Sequence, residues 1–150
     1  KIDIVILNET WLTNDILNNE IFPSSAYKTF RVDRSILTHP PDPNHPNKFR
    51  RNGGSGVLIA IRSDLDIRSK KIKINSKAEV LALELMFGSG KTICISTCYR
   101  VGTLGLDNFN EIHKHLEIIC KRKDIKKHIL IGRFVRSVVT WITRSLVSTE

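Results

Sequence analysis

The chain has little of what several large protein classes require. It has no apolar run near the roughly 18 residues of a membrane-spanning helix. Its apolar stretches, among them Gly56–Ile61, Val80–Phe87 with Glu84 inside it, and Ile129–Ile131, are of strand length. Cysteine is scarce, with only Cys94, Cys98 and Cys120 among 150 residues. An odd, low count excludes a disulfide-stapled scaffold and points to reduced thiols. No further Cys or His stands at zinc-finger spacing, so no zinc site is expected. No secretory pattern is visible, which makes an intracellular location, nuclear or cytoplasmic and not secreted, the expectation. Negative charge is also short: 15 Asp and Glu face 24 Lys and Arg, a net charge of +9.

That imbalance attracts polyanions before any specific contact forms. The basic residues also cluster, at Lys48-Phe49-Arg50-Arg51, Arg68–Lys73 and Lys121–Lys127. DNA is therefore the expected partner, with no membrane association and a monomeric chain. The composition, 41% hydrophobic and 26% charged, fits one soluble domain with a core of its own. The chain starts at Lys1 and runs at once into a strand-like stretch, and its end carries no cap. A fragment of a longer reading frame is the expectation.

Ile2–Leu7 reads as a buried β-branched strand and Tyr27–Val32 as a second. Thr13-Asn14-Asp15 between them looks like a turn, or the cap of a short helix reaching about Asn18. Leu37–Asn52 holds four of the five prolines and reads as a loop, with His39 and His45 as exposed loop residues. Val57–Arg62 follows a glycine-rich opening. Lys70–Ile74 alternates charged and apolar residues as an edge strand would. Val80–Phe87 and Thr92–Tyr99, joined by Gly88-Ser89-Gly90-Lys91, form a hairpin. Phe109, Ile112, Leu116 and Ile119 predict an amphipathic helix over about Leu106–Lys121. Lys126–Ile131 is a strand after that helix, and Val138, Val139, Ile142 and Leu146 permit a further helix in the tail. The order fits an α/β sandwich with antiparallel character, and a doubly wound sheet would need a helix after nearly every strand.

Gly88-Ser89-Gly90-Lys91-Thr92 imitates the end of a phosphate-binding loop. The full motif needs a glycine where Leu85 stands and a helix afterwards, whereas Thr92–Tyr99 has strand periodicity. NTP hydrolysis is not expected.

Two strand ends carry the chemistry. Glu9 follows an apolar strand, and a carboxylate there suits Mg²⁺, which takes hard oxygen donors and few carboxylates. The alternative is a solvated strand-end glutamate. In Lys126–Arg136, "KKHILIGRFVR", a buried strand breaks at Gly132 and delivers Arg133 and Val135 where working groups belong. Arginine is a poor metal ligand and valine does no acid–base chemistry.

The segments "ILNETWL", "FRVDR", "GGSGVLIAI", "CYR" and "HILIGRFV" occur in this order over almost the whole chain. Together they resemble the endonuclease/exonuclease/phosphatase superfamily, in particular the apurinic-type endonuclease domain of non-LTR (LINE-type) retrotransposon polyproteins. The resemblance implies an incomplete four-layer α/β sandwich of the DNase I-like kind, with mainly antiparallel or mixed sheets and residues 1–150 as one partial domain. It implies Mg²⁺- or Mn²⁺-dependent cleavage of DNA phosphodiesters. By resemblance, Glu9 is the metal ligand and Tyr99 the tyrosine that positions the scissile phosphate. Asp33 and Arg34 match a pair usual in the subgroup. Arg34, Lys48, Arg50, Arg51 and Arg100 are the expected nucleic-acid contacts.

The chain departs from the family where the family strand ends Gly-Asp-Phe-Asn and this one reads Gly132-Arg133-Phe134-Val135. Arg133 stands in place of the water-activating Asp, and Val135 in place of the phosphate-holding Asn. The family's early Asn and late Asp-His pair have no counterpart, and His113, His115 and His128 do not substitute for them. An inactive or weak nuclease is the expectation, with a non-catalytic basic nucleic-acid-binding module as the alternative.

Overall fold

A computed structural model describes residues 2–35, 55–100, 105–125, 127–134 and 137–144. Eight strands and two helices occur among them: β1 (Ile4–Asn8), α1 (Asn18–Ile21), β2 (Tyr27–Val32), β3 (Val57–Arg62), β4 (Ile67–Lys71), β5 (Glu79–Phe87), β6 (Thr92–Arg100), α2 (Gly105–Cys120), β7 (Lys127–Phe134) and β8 (Ser137–Arg144).

The strands form two sheets. The first has the order β1-β3-β2, antiparallel throughout. Its central strand β3 is apolar on both faces, with β-branched Val57, Ile59 and Ile61 on one and Leu58 and Ala60 on the other, and Val57 to Ile61 are at most 1% exposed. The second sheet has the order β4-β5-β6-β7-β8. Its β6–β7 pair is parallel and its other pairs are antiparallel. A parallel pair needs a crossover, and α2 supplies it between β6 and β7.

Strand alternation builds two cores. Val57, Ile59 and Ile61 of β3 pack against Leu81, Leu83 and Leu85 of β5 and Ile95 of β6, which joins the sheets face to face. The opposite residues of the second sheet, Val80, Ala82, Cys94, Cys98 and Leu130, pack under Ile112 and Ile119 of α2. The spacing of these two isoleucines puts them on one helix face. Cys94 and Cys98 thus share a face, as their spacing requires, and burial pushes both thiols up to about 12.

The expected fold class holds: two packed sheets, antiparallel and mixed, with a helix layer. Three local expectations need correction. The turn expected at Thr13-Asn14-Asp15 is present, with the Ile16 N–H on the Thr13 carbonyl at 3.1 Å, but the short helix begins at Asn18 instead of ending there, and the Leu17 N–H donates to Glu20 Oε1 at 2.9 Å. The edge strand β4 does stand at the sheet margin, but as Ile67–Lys71 rather than Lys70–Ile74. Its register against Leu83–Phe87 sets those bounds. Ser137–Arg144, where a helix was permitted, is strand β8, antiparallel to β7. Val138, Val139, Thr140, Ile142 and Thr143 make this stretch β-branched, and the neighbouring strand offers it a free edge.

Candidate functional site

The end of β1 leaves its sheet by an abrupt turn. Glu9 and Trp11 both have φ of 57°, a left-handed conformation uncommon outside glycine. The start of β3 holds this turn in place. The Thr10 N–H donates to the Gly56 carbonyl at 3.2 Å, and the Trp11 N–H to the Ser55 carbonyl at 3.0 Å. Only glycine serves at position 56: its φ is +94°, and a Cβ would lie 2.5 Å from Thr10 Oγ1. The Gly56 N–H in turn donates to Glu79 Oε2 at 2.6 Å. Glu79 opens β5 and is 1% exposed, so the turn is tied to a buried carboxylate.

Two side chains of β6 reach across from the other sheet. Tyr99 Oη donates to Glu9 Oε1 at 2.6 Å, and Thr97 Oγ1 to Asn8 Oδ1 at 2.7 Å. Alternation makes this possible, since residues 97 and 99 share the face that Ile95 presents to the first sheet. Tyr99 has two register partners, Glu79 on β5 and Arg133 on β7. Position 133 therefore adjoins the Tyr99–Glu9 pair in the sheet.

A second group of charges lies close by. Arg31 Nε meets Asp33 Oδ2 at 3.0 Å and Arg31 Nη2 donates to the Thr13 carbonyl at 3.1 Å. Burial raises the Asp33 carboxyl above its usual range, with Arg31 and Lys71 pulling it back and Glu79 adding to the rise. Asp33 Oδ1, Thr10 Oγ1 and Ser55 Oγ are buried without a hydrogen-bond partner. These unpaired oxygens, with the Glu9 carboxylate, are hard donors of the kind Mg²⁺ and Mn²⁺ accept. Among the described residues no cluster of three His, Cys, Asp or Glu side chains forms a ready cage. An ion here would have Glu9 as its one carboxylate ligand and water for the rest.

The structure brings Glu9 and Tyr99 together across the two sheets. Arg34, half-buried, follows Asp33 at the end of β2. Arg100 ends β6 opposite Phe134. Val135, Lys48, Arg50 and Arg51 lie outside the described residues. His115 and His128 are buried on the α2 side of the second sheet, the face away from Tyr99, and His113 is exposed near Glu117. Sequence reasoning missed Asn8, Thr97 and Glu79. A lone carboxylate heading the apolar strand Glu79–Phe87 was the available signal for the last. Nothing in the sequence pairs Thr97 with Asn8, because that contact joins different sheets.

No protein-family profile matches the chain. No curated protein matches it by sequence. Solved structures do match by shape. The human Nocturnin catalytic domain with bound sulfate anion aligns at a TM-score of 0.56 and 18% identity, over 87% of this chain and 50% of that one. D. rerio TDP2 complexed with single-strand DNA product aligns at 0.53 and 14%, over 87% and 46%. ANGEL2, a 2',3'-cyclic phosphatase, aligns at 0.53 and 14%, over 87% and 38%. The chain thus spans half or less of the length of each. These neighbours belong to the endonuclease/exonuclease/phosphatase superfamily, and the chain has their DNase I-like fold of two packed sheets.

Proposed function

We propose that the chain is part of a nucleic-acid phosphodiesterase domain, of the endonuclease type carried by non-LTR retrotransposons. In this reading it keeps the phosphate-gripping half of the site and has lost the water-activating half. The observation that carries the proposal is the 2.6 Å hydrogen bond from Tyr99 to Glu9. It joins the two sheets at the strand ends where a ligand meets polar groups. The resemblance of "ILNETWL", "CYR" and "HILIGRFV" supplies the family context, and the TDP2 neighbour, complexed with single-strand DNA, supports nucleic acid as the ligand class.

In the mechanism, Glu9 would hold a hydrated Mg²⁺ or Mn²⁺, which supplies positive charge against the phosphate and the leaving oxygen. The Glu79–Gly56 bond and the two backbone bonds of residues 10 and 11 fix where Glu9 points. The single Tyr99 O–H, donated to Glu9 here, would turn to a phosphate oxygen once that carboxylate takes the metal. Position 133, next to Tyr99 in the sheet, is where an aspartate would take a proton from water. Arginine there brings a permanent cation that accepts no proton and repels a metal. Loss of a general base costs about 10²–10⁴-fold. Loss of a donor at the phosphate costs about 10²–10³-fold. The two do not simply multiply, because such groups act as a unit. Arg34, Lys48, Arg50, Arg51 and Arg100 would contact the backbone of a DNA partner. The protein would act as an intracellular monomer.

Nicking of supercoiled plasmid with and without Mg²⁺ tests the proposal, after circular dichroism shows folded protein. The expected result is no nicking by the natural chain and Mg²⁺-dependent nicking once Arg133→Asp and Val135→Asn are combined, lost again with Glu9→Ala. Nicking by the natural chain that Glu9→Ala abolishes would refute the loss of activity. Nicking by the double variant that survives Glu9→Ala would refute the site. The charge of +9 favours the second reading, a non-catalytic binding module. Strongly salt-dependent DNA binding with no metal effect supports it.

A further inference from the structure

Beside the proposed phosphate grip stands a side chain that the mechanism does not use. Trp11 is 58% exposed, an unusual placement for an indole so close to a buried, hydrogen-bonded site. Its backbone is left-handed, with φ of 57°. Such a conformation costs a non-glycine residue energy and persists only where the surroundings over-determine it, and it gathers at ligand clamps. The surroundings here do so. The Trp11 N–H bonds the Ser55 carbonyl at 3.0 Å, the Thr10 N–H bonds Gly56, and Gly56 is anchored on the buried Glu79 carboxylate. These bonds fix the backbone that carries the indole, and the indole itself is exposed.

Its position matters as much. Trp11 is two residues from Glu9, so their Cα atoms are at most about 7 Å apart. That is about two stacked nucleotides at roughly 3.4 Å each. A phosphate held by Glu9 and Tyr99 would put a neighbouring base within reach of the indole. An exposed aromatic plane beside a phosphate grip, on a chain of net charge +9, has the chemistry of a base-stacking platform.

We propose that Trp11 stacks on an unpaired nucleobase one or two nucleotides from the gripped phosphate, so that the site takes locally single-stranded or unstacked nucleic acid. This rests on the phosphodiester reading above. An ordinary duplex keeps its bases paired and stacked, out of reach of such a platform.

The test is binding of a fluorescent single-stranded oligonucleotide, followed by anisotropy at low salt, to the natural chain, Trp11→Phe and Trp11→Ala. Inorganic polyphosphate, a polyanion without bases, is the competing probe. Trp11→Ala should weaken oligonucleotide binding by about 5- to 150-fold, the range of one lost base stack. Trp11→Phe should keep most of the affinity, and polyphosphate should bind all three proteins alike. Intrinsic tryptophan emission should fall on adding oligonucleotide, and fall less in Trp11→Phe. Oligonucleotide binding that is unchanged in Trp11→Ala would overturn the stacking role and leave the phosphodiester reading standing. Equal weakening of oligonucleotide and polyphosphate would also overturn it. If the natural chain binds no oligonucleotide at all, the phosphodiester reading itself fails, and stacking with it.

Discussion

His115 offers the sharpest test of the packing of α2 on the second sheet. Its ring is 1% exposed, between Ile112 and Ile119 on the buried face of the helix, and neither ring nitrogen has a hydrogen-bond partner. Burial, with a smaller contribution from His128, lowers its pKa from 6.5 to about 4. As pH falls below 6.5 the unfolded chain takes up a proton here and the folded chain does not. The unfolded state then binds more protons, and stability falls with pH until about pH 4, where the folded ring also protonates and the loss levels off. At about 1.4 kcal/mol per pH unit, the full interval is worth about 3 kcal/mol. For a chain of this length that corresponds to roughly 6–12 °C in Tm. Urea unfolding at pH 7, 6, 5 and 4, on the natural chain and His115→Leu, isolates the effect, because every other titrating group is common to both. The variant should be at least as stable at pH 7, since it removes two unpaired buried nitrogens. Its advantage should grow by about 3 kcal/mol between pH 7 and pH 4. A difference that stays constant with pH would refute the reasoning.

Other expectations follow from the same geometry. Glu79→Ala should cost about 1.5–3 kcal/mol in urea unfolding, because the Gly56 N–H loses a charged acceptor. Glu79→Gln keeps an acceptor and should cost less. Gly56→Ala should destabilise by more than the ordinary ~1 kcal/mol of a glycine change, because the added Cβ meets Thr10 Oγ1 in a left-handed backbone. Leu83→Ala, in the core between the sheets, should cost about 2–5 kcal/mol, read from the denaturation midpoint. Cys120 is exposed and should react with a thiol reagent in the folded protein. Cys94 and Cys98, buried with pKa values pushed up to about 12, should react only on unfolding.

The sequence by itself determined the elements whose pattern is local. Val57–Arg62 is apolar on both faces, which only a central strand can bury, and it is one. Ile112 and Ile119 mark the face of α2, and Glu79–Phe87 with Thr92–Arg100 form the hairpin that their glycine turn announces. Glu9 was marked by its place after an apolar strand, and Tyr99 by the resemblance that "CYR" carries. Local pattern failed where two states compete on equal terms. Ser137–Arg144 has spacing that allows a helix, and its pairing with β7 makes it a strand.

Tertiary structure alone decided the site. Glu9 and Tyr99 are ninety residues apart in sequence and belong to different sheets, and only sheet-on-sheet packing brings them to 2.6 Å. The same packing matches Thr97 to Asn8 and buries Glu79 under the Gly56 backbone. The left-handed turn at Glu9 and Trp11 could not be read from their residue types, which disfavour it. It exists because backbone carbonyls of a segment more than forty residues away accept its N–H groups. Periodicity reports which face of an element is apolar; which polar groups meet across the packed faces depends on the register and stacking of the sheets, and those are properties of the whole fold.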